Sequence, residues 1–188
     1  LDIIEATPQH EYQVLTKRSE ALLKFSKNRM LPNNFWAGVT IENKRNLNRL
    51  DDLKAVKSMI KFISLEPLLD NLGDSYNFDG INWVITGGES GNHLWKDENQ
   101  KKRGLVVYDK QLKKFIPDSQ KVEWVRNILK KCRESEVFFF HKQWGGNYPE
   151  SAGRELDGKT YDEIPKIPGG KLEINNQYLK LLNSKGIN

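Results

Sequence analysis

The sequence predicts an α/β fold, a partial (β/α) barrel of about five parallel strands, with an insertion over residues 91–118 and an irregular C-terminal tail. Three observations predict it. Five short apolar runs rich in β-branched and aromatic residues read as buried parallel strands: Tyr12–Lys17, Phe35–Glu42, Ile60–Glu66, Ile81–Glu89 and Val137–Gln143. Helical patterns alternate with the first three runs, which favours parallel pairing through right-handed crossovers. The chain has 188 residues, and a closed eight-stranded barrel typically needs about 250.

Each element follows from local chemistry. Leu1-Asp2-Ile3-Ile4-Glu5-Ala6 reads as the end of an amphipathic helix, which predicts that the chain begins inside a longer protein. After the first strand, Ser19 is a candidate helix cap, and Ala21, Leu22, Leu23 and Lys24 favour the helix behind it. Pro32-Asn33-Asn34 marks a turn. Leu47, Leu50, Leu53 and Val56 form one apolar stripe within Arg45–Ser58, with Arg49, Asp51, Asp52 and Lys54 expected to face water. Pro67 ends ladder pairing after the third strand, and the polar link Asp70–Gly80 predicts a loop. In the insertion, Leu105–Tyr108 and Lys113–Ile116 suggest a hairpin around Asp109-Lys110-Gln111. Val122, Val125, Ile128, Leu129 and Cys132 define the buried face of a helix opened by Pro117-Asp118-Ser119. A last helix is expected within residues 171–185. The domain reading is a barrel part over 1–165 followed by a tail over 166–188.

Composition narrows the functional classes. A net charge of +5 permits phosphate-bearing ligands without requiring them. A single cysteine, Cys132, excludes an internal disulfide framework and a cysteine-rich metal site built from this chain alone. No run of about eighteen apolar residues is present, so no membrane span is expected and a reducing cytoplasm is the default location.

Chemistry gathers at the C-terminal ends of the strands, where (β/α) proteins place their sites. Thr16, Lys17, Thr40, Glu42, Glu66, Glu89, Lys142 and Gln143 are therefore expected at one pocket mouth. Gly87-Gly88-Glu89-Ser90-Gly91 is the sharpest motif, because glycines at a strand end allow close approach to backbone amides. It lacks the G-x-G-x-x-G spacing of a dinucleotide site. Glu42 and Glu66 are either salt-bridged to Lys17 or Lys142, or act as a carboxylate pair. Trp144 either stacks on a flat ligand or packs the rim. His10 and His93 lack metal-ligand spacing.

Six motifs in order, Tyr12–Arg18, Phe35–Thr40, Phe62–Leu69, Trp83–Gly91, Phe138–Gly146 and Gly153–Pro165, carry a family likeness. Across about Ile3 to Pro165, the chain resembles the C-terminal part of the phage-associated three-Cys-motif proteins, uncharacterised radical S-adenosylmethionine-like proteins of phages and prophages. The resemblance implies a TIM-barrel-like fold holding a [4Fe–4S] iron–sulfur cluster on three cysteines, with S-adenosylmethionine on the unique iron and a 5′-deoxyadenosyl radical as its product. It implies cofactor-side positions for Thr16, Lys17, Thr40, Glu42, Gly87, Gly88, Lys142 and Gln143, and reactive carboxylates at Glu66 and Glu89. The three cysteines are absent from this chain, so no metal ligand is assigned.

The expected partner is an N-terminal half of the same protein, or another chain, covering exposed strand edges. Two other readings stand beside this one. One is a barrel hydrolase using Glu66 with Glu42 or Glu89. The other is a non-catalytic module that binds nucleic acid or phosphate through its lysines, whereas in the first reading the basic insertion at residues 96–114 is expected to contact a phosphate-bearing substrate.

Overall fold

A computed structural model describes residues 1–166. The expected helix within residues 171–185 and all but the first residue of the 166–188 tail lie outside the described residues.

The chain opens with helix α1 (Asp2–Ala6), strand β1 (Tyr12–Thr16) and helix α2 (Ser19–Asn28). Strand β2 (Phe35–Thr40), helix α3 (Asn48–Ala55) and strand β3 (Ile60–Leu65) follow. A helix-free loop leads to β4 (Trp83–Gly87), as the polar Asp70–Gly80 link predicts. The insertion holds a short 3₁₀ turn (Asn92–Trp95), helix α4 (Asp97–Arg103) and a hairpin of β5 (Val106–Asp109) and β6 (Lys114–Pro117). Helix α5 (Val122–Glu134) and strand β7 (Phe138–Gln143) complete the repeat pattern.

β1, β2, β3, β4 and β7 form one parallel sheet in that spatial order. Each new strand of this sheet is laid beside the previous one. That progression belongs to an arc of a (β/α) barrel, whereas a doubly wound sheet reverses direction part-way. The core gathers on one face. Leu22 of α2, Leu50 and Leu53 of α3, and Val125, Ile128 and Cys132 of α5 cluster with Ala37, Val39, Ile63, Leu65, Val84 and Phe139. Burying a leucine or isoleucine fully contributes about 1.5–3 kcal/mol, so this face carries most of the drive to fold.

The opposite face is aromatic. Trp36, Ile60, Phe62 and Trp83 form a separate cluster with Ile85 and Phe140 against it. Their in-register positions follow from the pairs Trp36↔Ile60, Gly38↔Phe62, Phe62↔Trp83 and Ile85↔Phe140. Gly38 is required here: a Cβ on it would lie 2.3 Å from the Phe62 ring. At the two rims, Leu15 on β1 and Phe138 on β7 are exposed. The outer edge of β7 is closed by residues near 162, through the Phe140↔Asp162 bridge and the His141 amide bonded to the Tyr161 carbonyl.

Several sequence expectations shift in detail. Ser19 lies inside α2, where its hydroxyl donates to Asp52 at 2.6 Å instead of capping the helix. Arg49 does not face water. Its side chain is 18% exposed, because it turns toward the strand ends and finds a buried carboxylate there. Strands β2 and β3 stop short of Glu42 and Glu66, since the Leu68 and Leu69 amides cross over them to the carbonyls of Gly87 and Glu42. Cys132 is fully buried, as the helical stripe predicts.

Candidate functional site

On the aromatic face, strand alternation puts Trp36, Gly38 and Thr40 in one column, followed by Glu42. Phe62 and Ser64 lead in the same way to Glu66, Trp83 and Ile85 to Gly87, and Phe138 and Phe140 to Lys142. The face is thus an aromatic floor at the N-terminal ends of the strands and a charged rim at their C-terminal ends.

Two ion-pair networks make up the rim. Glu42 is nearly buried and accepts from Lys17, from Arg49 at 2.9 Å and from the Asn46 amide at 3.0 Å. Arg49 also donates to the Thr40 carbonyl at 2.6 Å. Burial pushes the Glu42 carboxyl up, but the Lys17 bond, a backbone hydrogen bond and the two cationic charges outweigh it, so the group is held below its usual range. Beside this network lies an open cleft of about 360 Å³, lined by Lys17–Ala21, Asn46, Asn48 and Arg49. A larger groove of about 620 Å³ lies along α3 and residues 74–77 and includes no strand-end residue.

The second network is centred on Glu66. Lys142 donates to its Oε2 at 3.1 Å and the Gln143 amide reaches Oε1 at 3.4 Å. Gly87 stands between the two strands that bring them together. A Cβ on Gly87 would lie 3.0 Å from the Glu66 carboxyl carbon, so the glycine makes room for the carboxylate. The register shift at Thr86/Gly87 aligns Gly87 with Gln143 and lets Gln143, which is buried, contact this side. Gln143 also bonds the Gly88 carbonyl at 3.3 Å, the Ser90 hydroxyl at 3.1 Å and the Glu150 amide at 2.9 Å.

The rest of the glycine motif packs backbone on backbone. The Gly88 amide donates to the Gln143 carbonyl, Gly91 to Gly146, and Gly146 to Glu89. Trp144 packs: it is buried and its indole donates to the Glu155 carbonyl at 2.8 Å.

Glu89 belongs to neither network. Arg103 of α4 grips it through two bonds of 2.7 and 2.8 Å, and His93 stands 3.5 Å away. Glu89 therefore ties the insertion to the strand end, and the pairing raises the Arg103 pKa further.

Of the sequence-predicted residues, Lys17, Thr40, Glu42, Glu66, Gly87, Lys142 and Gln143 meet on this rim. Thr16 points to the helix side, where its hydroxyl accepts from the Arg18 amide at 3.0 Å. Its position in the strand is one residue out of phase with Lys17. Sequence reasoning missed Arg49, Asn46 and Arg103. A buried Glu42 demanded a cation, and Arg49 lies seven residues onward at the start of α3, so that signal was present. Arg103 reaches Glu89 through an irregular insertion, and no periodicity connects the two.

His141 is fully buried on the helix side, with Nδ1 2.8 Å from the Thr86 hydroxyl and its ring 4.5 Å from that of Trp144. Burial, and then the charge of Arg154, push its pKa down to about 4. Among the described residues, no group of three or more His, Cys, Asp or Glu side chains is placed to hold a metal ion, and no helix is long and apolar enough to cross a membrane.

The fold and the rim define a parallel α/β protein of partial-barrel type, with ion-paired carboxylates at its strand ends. Residues 1–106 and 118–165 match a family described as a protein of unknown function, DUF5131, and the chain belongs to that family. No curated protein and no solved structure matches it.

Proposed function

We propose that the chain is part of a (β/α)-barrel enzyme that binds S-adenosylmethionine, with the amino-acid end of that ligand held on the charged rim. The observation that carries the reading is Glu66, set beside Lys142 across the space left open by Gly87. A carboxylate and an ammonium about 3 Å apart are complementary to a zwitterion: Glu66 receives the ligand's ammonium and Lys142 its carboxylate. Side-chain exposures of 22% for Glu66 and 55% for Lys142 leave both open to a ligand. The buried aromatic cluster below packs rigidly and supports the rim from beneath.

The cluster implied by the sequence resemblance does not fit the residues present. A [4Fe–4S] centre on three thiolates needs ligands that this chain does not carry, and Cys132 is buried on α5 with its thiol pushed up by desolvation. The chain's own residues bind and orient. A carboxylate hydrolase is less well supported, because Glu42, Glu66 and Glu89 are each paired with their own cations instead of facing one another.

Isothermal titration of the chain with S-adenosylmethionine tests the reading. Glu66→Gln and Lys142→Met should each weaken binding about tenfold, equivalent to about 1.4 kcal/mol. Absence of binding to the unsubstituted chain, or an affinity in both variants equal to that of the unsubstituted chain, would overturn it.

A further inference from the structure

The insertion carries a second feature, independent of the strand-end rim. Residues 96–114 hold seven basic side chains against three acidic ones. Lys96, Lys101, Lys102, Arg103, Lys110, Lys113 and Lys114 are all exposed. Arg103 is neutralised by Glu89. Among the described residues, the six lysines enter no ion pair. The three acids offset the seven cations in part and leave the segment with a net charge of +4. Asp109 spends its carboxylate on the Gln111 and Leu112 amides of the hairpin turn. Asp97 and Glu98 lie four residues before Lys101 and Lys102 on α4, near them but, among the described residues, forming no ion pair.

An aromatic side chain belongs to the same insertion. Trp95 is 50% exposed, and its position is fixed by packing on the hairpin. Its ring lies 4.9 Å from Tyr108 and 5.0 Å from Phe115. The hairpin is anchored in turn: the Gln100 side chain, buried under α4, accepts from the Tyr108 amide at 2.9 Å. The cations are thus carried on a held scaffold. The family match passes over residues 107–117, which include most of this hairpin.

Unpaired lysines on an insertion that also carries a rigid, half-exposed indole match the chemistry that recognises a single-stranded nucleic acid. The lysines meet phosphates, and the indole stacks on a base that a duplex would keep paired. We infer that the α4–hairpin insertion is a binding surface for single-stranded nucleic acid, with Lys101, Lys102, Lys110 and Lys114 on the phosphates and Trp95 under a base. The inference does not rest on the S-adenosylmethionine reading and would survive its failure.

Fluorescence anisotropy with a labelled dT20 strand, a 20-base-pair duplex and phosphatidylserine vesicles as competitor tests it across 50–300 mM salt. The unsubstituted chain should bind dT20 more tightly than the duplex, with affinity falling steeply as salt rises. Each lysine lost should reduce the slope of log affinity against log salt by about 0.7. K101E/K102E and K110E/K114E should each weaken binding at low salt by at least about tenfold, and Trp95→Ala should weaken it at every salt concentration. Thermal melting of each variant separates loss of the surface from loss of the fold. Binding that is absent at 50 mM salt, unchanged in both folded lysine-pair variants, stronger for the duplex, or displaced by the vesicles in preference to the strand would overturn the inference.

Discussion

Gly88 has room for a hydrogen and nothing larger, because a Cβ there would stand 1.9 Å from the Trp144 carbonyl oxygen. The obstacle is backbone and cannot swing aside. Gly88→Ala should therefore cost about 3 kcal/mol, measured as a lower urea midpoint. A midpoint equal to that of the unsubstituted chain would show that the two segments separate freely. His141 makes a pH prediction. Its folded pKa is about 4, against 6.5 for the free imidazole. Below pH 6.5 the unfolded chain takes up a proton that the folded chain refuses, so stability falls as pH drops toward 4 and rises with pH through the same window. The loss amounts to about 3 kcal/mol. Glu42 adds to the loss at lower pH. Its folded pKa is depressed, so its contribution is complete above the ordinary value of 4.5 and disappears as pH falls through the folded value. Urea midpoints from pH 7.5 to 4.5 should drop for the unsubstituted chain and flatten for His141→Phe. An identical slope in the variant would assign the effect elsewhere.

Among the elements, the insertion is held by the buried side chains of Leu94, Leu105, Val106 and Phe115 and also by charge. Lys121 donates to the carbonyls of Gln100, Lys101 and Gly104 at 2.9, 3.0 and 2.5 Å, closing the C-terminal end of α4. Burial lowers its pKa, opposed by Asp118. Lys121→Met should raise amide exchange across residues 97–103 while leaving β2 and β3 protected, since only the insertion loses its cap. Exchange unchanged in α4 would show that the hairpin alone holds it. The strands, α3 and α5 were legible in the sequence because apolar runs and a three-to-four-residue stripe report burial directly. The hairpin was legible to within a residue or so. The destination of Arg49 was not, because the periodic pattern assigns a face and the first turn of α3 lies level with the strand ends. The strand limits were also misplaced, since the amides of Leu68 and Leu69 terminate the ladder and leave no mark in the residues they cover.

At the scale of the molecule, the sheet order and the single helical face make an arc of a barrel, which alternation and length together predicted. Most of the rim could be anticipated because strand-end residues of one phase share a face. What the sequence could not supply was the pairing within it: Lys17 with Glu42, Lys142 with Glu66, and Glu89 turned away to Arg103. Those pairings depend on strand register and on a bulge at Thr86/Gly87. The central claim is that this face of the sheet receives its ligand at the C-terminal strand ends. A ¹H–¹⁵N correlation spectrum of the labelled chain titrated with S-adenosylmethionine tests it most directly. Saturable shifts are expected at the Glu66, Gly87, Gly88 and Lys142 amides, with α4 and the hairpin unmoved. Shifts confined to other surfaces, or an unchanged spectrum at saturating ligand, would contradict it.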